Sequence, residues 1–229
     1  MGASYMDYLI SDRTQTPGEY ASFYREKLLL MPHSYQVNYY LPHWQPKLHA
    51  EWGEFAQRMG TGTYDERGSG LQVSAERSRA REVEGLPHKA FVFANFNKND
   101  KLEPNVFGEW MAILRALPGS VLWLLESQAS KAFDMLKSNL RMEAAARGVA
   151  PHRILFAPRR SKKQHLARHW LADCFLDTHV YGAHSTATDA LRGGVPVLTM
   201  TGRNFAGRVA TGLLRSVNLD QMITKVRVV

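Results

Sequence analysis

The sequence predicts an α/β fold: a Rossmann-like parallel sheet over residues 90–229. Two observations lead there. From Gly85 onward, short apolar runs alternate with amphipathic stretches of helical length, the pattern of strands joined by right-handed helical crossovers. Within that pattern, residues 174–200 read as one strand–turn–helix–strand unit, whose helix starts at the C-terminal edge of the sheet.

The elements follow in order. Tyr5–Asp12 reads as a short strand. Thr16-Pro-Gly-Glu19 has the form of a helix start, with Thr as N-cap, Pro in the first turn and Glu closing a capping box. Tyr20, Phe23, Tyr24 and Leu28 then recur at helical spacing, which predicts a helix ending before Pro32. Residues 39–89 change character. Trp44, Trp52 and Phe55 suggest some local packing, Gly60-Thr-Gly-Thr and Gly68-Ser-Gly are loop signals, and 74–82 is a charged run suited to a solvated helix or linker. The expected division is therefore 1–38, a linker or insertion at 39–89, and the Rossmann-like lobe at 90–229.

In that lobe, strands are expected at 90–94, 121–125, 153–156, 174–177 and 196–200. Helices are expected at 104–117, 129–147, 162–172, in the segment after Gly182, and at about 204–214. Gly193-Gly194 stops the fourth of these helices.

With 229 residues, 45% of them hydrophobic, the chain can bury a full core. It contains no run of membrane-spanning length and no signal-peptide layout at its start, so no membrane partner is expected. Cys174 is its single cysteine and lies in a buried run, which fits a reducing compartment, cytoplasmic or nucleocytoplasmic. The net charge of +8 favours an anionic partner. The basic residues lack interleaved aromatics, so a nucleotide's phosphates suit them better than nucleic acid.

Three segments leave the sheet at the edge where ligands of open α/β sheets bind. Asn95–Lys101 follows the first strand, and a lysine on that turn, Lys101, can donate to a diphosphate. Lys162, His165 and Arg168 share one helical face, where a cation, a flat ring and a guanidinium can hold a ribose and a base. In the third segment, Gly182 and Ala183 permit close approach of a ligand, and His184, Ser185 and Thr186 crowd a helix start that favours an anion. Asp189, one turn further in, can accept from a ribose hydroxyl. Each segment also has a plainer reading. Thr186-x-x-Asp189 has capping-box spacing, Lys101 can be a surface lysine, and the 162–168 face can be solvated. No GxGxxG or P-loop fingerprint occurs, and no metal-ligand cluster, so neither a dinucleotide cofactor nor a metal is expected.

Phe93-Ala-Asn-Phe-Asn97 with Lys101, Pro118–Leu125, Lys162-x-x-His165-x-x-Arg168, Leu171-Ala-Asp-x-x-Leu-Asp-Thr178 and Gly182-Ala-His-Ser-Thr-x-x-Asp189 together resemble the O-linked N-acetylglucosamine transferase family. Tyr181-Gly-Ala-His184 is similar to its bacterial and plant branch. Gly2-Ala-x-Tyr-Met-Asp-Tyr8 and Met31-Pro-His-Ser-Tyr35 resemble the end of that family's N-terminal catalytic lobe.

The resemblance implies a metal-independent GT-B glycosyltransferase that moves N-acetylglucosamine from UDP-GlcNAc to Ser or Thr of acceptor proteins. Lys101 would stabilise the departing UDP as the catalytic residue, with Lys98 beside the diphosphate. Lys162 and Asp189 would hold the ribose, and His165 and Arg168 the uracil. His184, Ser185 and Thr186 would cradle the phosphates. Lys98 stands where the family usually has Gln, and Ser185 where it usually has Thr. Most of the N-terminal lobe, the tetratricopeptide repeats and the closing helices are not in this sequence, so the chain is expected to bind donor without turning it over. The rival readings are a protein O-fucosyltransferase using a GDP donor, against which His184 and Asp189 speak, and a non-catalytic interaction module.

Overall fold

The computed structural model describes residues 2–38, 75–126 and 130–224. The chain divides into two compact units: Met1–Val37 with Val92–Val229, and Asn38–Phe91. The aromatic and loop signals expected between Trp44 and Gly70 lie outside the described residues.

In the larger unit the N-terminal segment opens with strand β1 (Tyr8–Asp12), as the sequence predicts. The helix expected from Thr16 to Leu28 does not form. Gly18–Phe23 is a 3-10 turn without a side-chain cap, and Lys27–Met31 is a second strand, β2, parallel to β1 with Leu9 opposite Leu28. Phe23 is 80% exposed, so the helical stripe has no core to face, and residues 27–31 instead satisfy backbone groups by pairing with β1. Thr16 is not an N-cap either: its hydroxyl bonds back to Asp12 O at 3.2 Å. The buried Asp12 carboxylate closes that turn, accepting from Thr14 N at 2.8 Å, Gln15 N at 2.9 Å and Tyr35 N at 3.0 Å. In the smaller unit, the charged run forms helix α1 (Ala75–Val83). Its Arg81 is fully buried and donates to His88 O and Ala90 O.

The main sheet is six-stranded. Its strands are β3 (Phe91–Asn95), β4 (Ser120–Leu125), β5 (Ile154–Ala157), β6 (Cys174–Leu176), β7 (Val197–Met200) and β8 (Ile223–Thr224). The order across the sheet is β5-β4-β3-β6-β7-β8, and the pairs β4–β5, β3–β6, β6–β7 and β7–β8 run parallel. Near-continuous burial along β3, β4 and β6 is what a sheet covered on both faces requires. β8 was not expected; two residues are too few to read in a sequence.

The connecting helices are α2 (Pro104–Ala116), α3 (Lys131–Ala146), α4 (Lys162–Ala167), α5 (Ser185–Arg192) and α6 (Val209–Ser216). Helix α2 buries Val106, Phe107, Trp110, Met111 and Leu114, the stripe its spacing predicts. Two helices are shorter than expected. After Ala167 the chain tightens into a 3-10 turn, Arg168–Leu171, which sinks Arg168 and His169 into the interior. α6 starts at Val209 because Asn204 Oδ1 accepts from Gly207 N at 2.7 Å and holds 204–207 as a turn. The N-terminal segment is fastened to α6: Gln15 Nε2 donates to Arg208 O at 2.9 Å, and Arg208 Nε to Thr14 O at 2.6 Å.

Candidate functional site

From β3 the chain builds outward to β4 and β5, then returns to lay β6 on the other side of β3 and continues outward again. The loops after β3 and β6 therefore diverge at the switch point, where open α/β sheets form a ligand crevice. Side chains stitch the two loops together. Asn95 Nδ2 donates to Leu176 O at 2.6 Å, and Asn97 Nδ2 to Thr178 Oγ1 at 3.1 Å. Thr178 Oγ1 in turn donates to Tyr181 O at 2.7 Å.

Thr186 Oγ1, in the first turn of α5, donates to Asn97 Oδ1. Asp189 is bonded to Lys162, with Oδ2 2.7 Å from Nζ. The capping-box reading of Thr186 and Asp189 therefore fails: the N-cap position of α5 is His184, with no side-chain cap. Helix geometry leaves the Ser185 and Thr186 N–H groups without intrahelical acceptors, and the Ser185 side chain is exposed beside them.

Gly182 is needed for a reason other than ligand approach. A Cβ there would lie 3.1 Å from Ala206 O and 3.3 Å from Asp177 Oδ2, so the glycine lets the loop pack on its neighbours. Asp177 is the hub of that loop. Its buried carboxylate accepts from Thr178 N and Ala183 N, both at 2.7 Å, and from Thr199 Oγ1 at 2.8 Å. Burial raises its pKa, and these three donors and the Lys101 charge oppose the rise.

Lys101, at the end of a 3-10 turn, reaches across the switch point. Its Nζ donates to Gly182 O at 2.8 Å and lies 3.9 Å from the centroid of the Tyr181 ring. Burial lowers its pKa, and Asp177 and Asp100 draw it back up. Lys98 is exposed and borders a small cleft with Trp110 and Leu124.

Helix α4 begins on a capping box, Ser161 with Gln164, a signal readable in the sequence. His165 lies half-buried, its ring 5.2 Å from that of Phe96 and 4.9 Å from that of His169. Arg168 is buried; Nη1 donates to Pro158 O at 2.6 Å and Nη2 to His165 Nδ1 at 2.8 Å. A guanidinium only donates, so His165 Nδ1 accepts and its proton sits on Nε2. Burial, with His169 and Arg168 adding to it, pushes the His165 pKa down to about 3, so the ring is neutral. His184 Nε2 likewise faces a carbonyl, Ala206 O at 3.2 Å; burial lowers its pKa too.

The fold thus gathers the predicted Lys101, Lys162, His165, Arg168, His184, Ser185, Thr186 and Asp189 around one switch point, with Lys98 at its rim. Sequence reasoning overlooked Asn97, Asp177, Thr178 and Tyr181 as individuals. All four stand inside motifs quoted above, but their partners lie across the sheet and only the fold reveals them.

A parallel sheet of this strand order, with cations, a helix start and a flat ring at its switch point, is the Rossmann-like half of a GT-B glycosyltransferase. The chain belongs to glycosyl transferase family 41, whose family model matches residues 1–52 and 53–228. It is 35% identical over 219 residues to a probable UDP-N-acetylglucosamine–peptide N-acetylglucosaminyltransferase, SEC, of Arabidopsis thaliana, covering 95% of this chain and 19% of the relative. Against the UDP-N-acetylglucosamine–peptide N-acetylglucosaminyltransferase of Caenorhabditis elegans it is 36% identical over 142 residues, 62% of this chain and 12% of the relative. A solved mutant O-GlcNAc transferase of Thermobaculum terrenum superposes with a TM-score of 0.68 at 27% identity, over 96% of this chain and 35% of that one. The chain thus spans a fifth or less of these two curated relatives.

Proposed function

We propose that this chain is the donor-binding part of a protein O-linked N-acetylglucosamine transferase, taking UDP-GlcNAc for transfer to Ser or Thr of acceptor proteins. The observation that carries the reading is Lys101, whose ammonium sits on the Gly182 carbonyl just ahead of α5, the helix whose Asp189 pairs with Lys162. A lysine there meets the diphosphate, and the α5 N–H groups with Ser185 and Thr186 receive its oxygens. Lys162 and Asp189 supply a donor and an acceptor suited to ribose hydroxyls. The neutral His165 ring offers a flat face to uracil, and Arg168 acts behind it by fixing its tautomer. His184 flanks the phosphates with its Nε2–H turned to Ala206.

In the reaction, the acceptor hydroxyl oxygen bonds to the sugar's anomeric carbon and gives up its proton to the departing diphosphate or to water, while the bond from that carbon to the β-phosphate oxygen breaks. UDP leaves with the electron pair, and the Lys101 ammonium offsets the charge that grows on it. Lys98 adds a second cation at the rim.

Residues 1–38 are read as the end of the N-terminal catalytic lobe. The β1–β2 sheet supports this, since Tyr8 is 51%, Ile10 58% and Leu29 49% exposed, an apolar surface suited to packing against more of such a lobe. The unpaired buried thiol of Cys174 supports a reducing, cytoplasmic or nucleocytoplasmic setting. Among the described residues no helix is long and apolar enough to cross a membrane.

Titration calorimetry with EDTA present tests the reading: UDP should bind more tightly than GDP. Equal affinity sinks the uracil assignment and favours the GDP-fucose alternative or a fold kept without donor selectivity.

A further inference from the structure

We infer that Tyr181 is the positioning residue for Lys101, holding its ammonium charged and aimed at the diphosphate site without a carboxylate against it. The inference rests on the donor-site reading above for the identity of the ligand, but not for the contact itself. The Lys101 ammonium has two neutral partners, the Gly182 carbonyl at 2.8 Å and the Tyr181 ring at 3.9 Å from its centroid. Among the described residues, the carboxylates that act on it, Asp177 and Asp100, do so through longer-range attraction. Lys162 differs: its ammonium is 2.7 Å from the Asp189 carboxylate.

The difference has a chemical consequence. An ammonium bonded to a carboxylate must exchange one anion for another when a diphosphate arrives. An ammonium over a π face is attracted by the ring quadrupole while keeping its whole charge for the incoming anion. Tyr181 is built to hold that position. Its carbonyl accepts from Thr178 Oγ1 at 2.7 Å, and its ring meets the His184 ring edge-on at 5.1 Å and 79°. With 47% of its surface exposed, the residue stands at the mouth of the site rather than in the core.

The test uses this chain with Tyr181→Phe and Tyr181→Leu, and two readouts. NMR of the Lys101 CεH2 group should show an upfield ring-current shift in the wild type, kept by Tyr181→Phe and lost in Tyr181→Leu. Calorimetry with UDP and with inorganic pyrophosphate should show binding about tenfold weaker for Tyr181→Leu, restored to within about twofold by Tyr181→Phe. In a Lys101→Met background, Tyr181→Leu should cost nothing further. Absence of the ring-current shift in the wild type overturns the inference. So does unchanged or tighter binding by Tyr181→Leu, the latter making the ring a barrier, or a loss in Tyr181→Phe as large as in Tyr181→Leu. Failure of UDP to bind while the shift persists overturns the donor reading instead and leaves the contact standing.

Discussion

At the scale of single residues, Lys101 and the His165–His169 pair have separable effects. A lysine aimed at a leaving diphosphate acts mainly in the transition state. In a longer chain carrying the whole transferase, Lys101→Met should therefore cut turnover far more than donor binding, by roughly a hundredfold, or ~3 kcal/mol. Steady-state kinetics beside UDP titration checks this, and a rate loss that only tracks affinity counts against the role. The histidines carry a pH signature. Burial pushes His165 down to about 3 and His169 to about 4, against about 6.5 in the unfolded chain. The unfolded state then binds protons that the folded state refuses, so this stability is present above about pH 6.5 and lost as pH falls toward 4. Melting temperature should decline from about pH 6.5 to 5 in the wild type and more shallowly in His169→Asn, which keeps a donor toward His165 O. A flat wild-type profile over that range would falsify the linkage.

At the scale of elements, the end of α5 separates two glycines that look alike in sequence. Gly194 has φ +72° and open space around it, completing a C-cap in which Val195 N reaches Ala190 O at 2.9 Å. Gly193 has an ordinary φ of −73°, but a Cβ there would meet His169 Cβ at 2.6 Å. Gly194→Ala should cost about 1 kcal/mol of stability and leave UDP affinity alone. Gly193→Ala should weaken both, because it pushes α5, which carries Asp189, off the turn that carries His169. Chemical denaturation and calorimetry on the two variants distinguish the effects; matching losses of affinity would refute the distinction. The stop at Gly193-Gly194 was legible as a stop. Which glycine serves the backbone and which the packing was not, since that depends on a histidine 24 residues earlier in the chain.

At the scale of the whole molecule, transfer needs an acceptor hydroxyl held against the sugar carbon, and a two-lobed transferase achieves this between its lobes. This chain should bind UDP yet transfer essentially no sugar to a Ser/Thr-rich peptide at saturating donor, beside a chain extended upstream that does. Radiolabelled UDP-GlcNAc provides the measurement. Comparable turnover by both would relocate the acceptor site to residues 39–89, with Trp44, Trp52 and Phe55 the first to mutate.

The sequence by itself determined the α/β class, the helix faces, the strands β3 to β7 and the three segments that carry the site. Each of these depends on local periodicity or on residues close together in the chain, which a linear reading detects. It misjudged Thr16–Leu28, where an apolar stripe met the helical period but had no core to face, and Lys27–Met31 paired with β1 instead. It also ran the helix from Lys162 past Ala167, where burial of Arg168 and His169 draws the chain into a tighter turn. Only the tertiary structure decided that Thr186 bonds to Asn97 rather than capping its own helix, and that Lys162 pairs with Asp189. It alone set the Tyr181 ring against Lys101. Each of these contacts joins residues 27 to 89 apart in sequence, and the strand order at the switch point brings them within bonding distance.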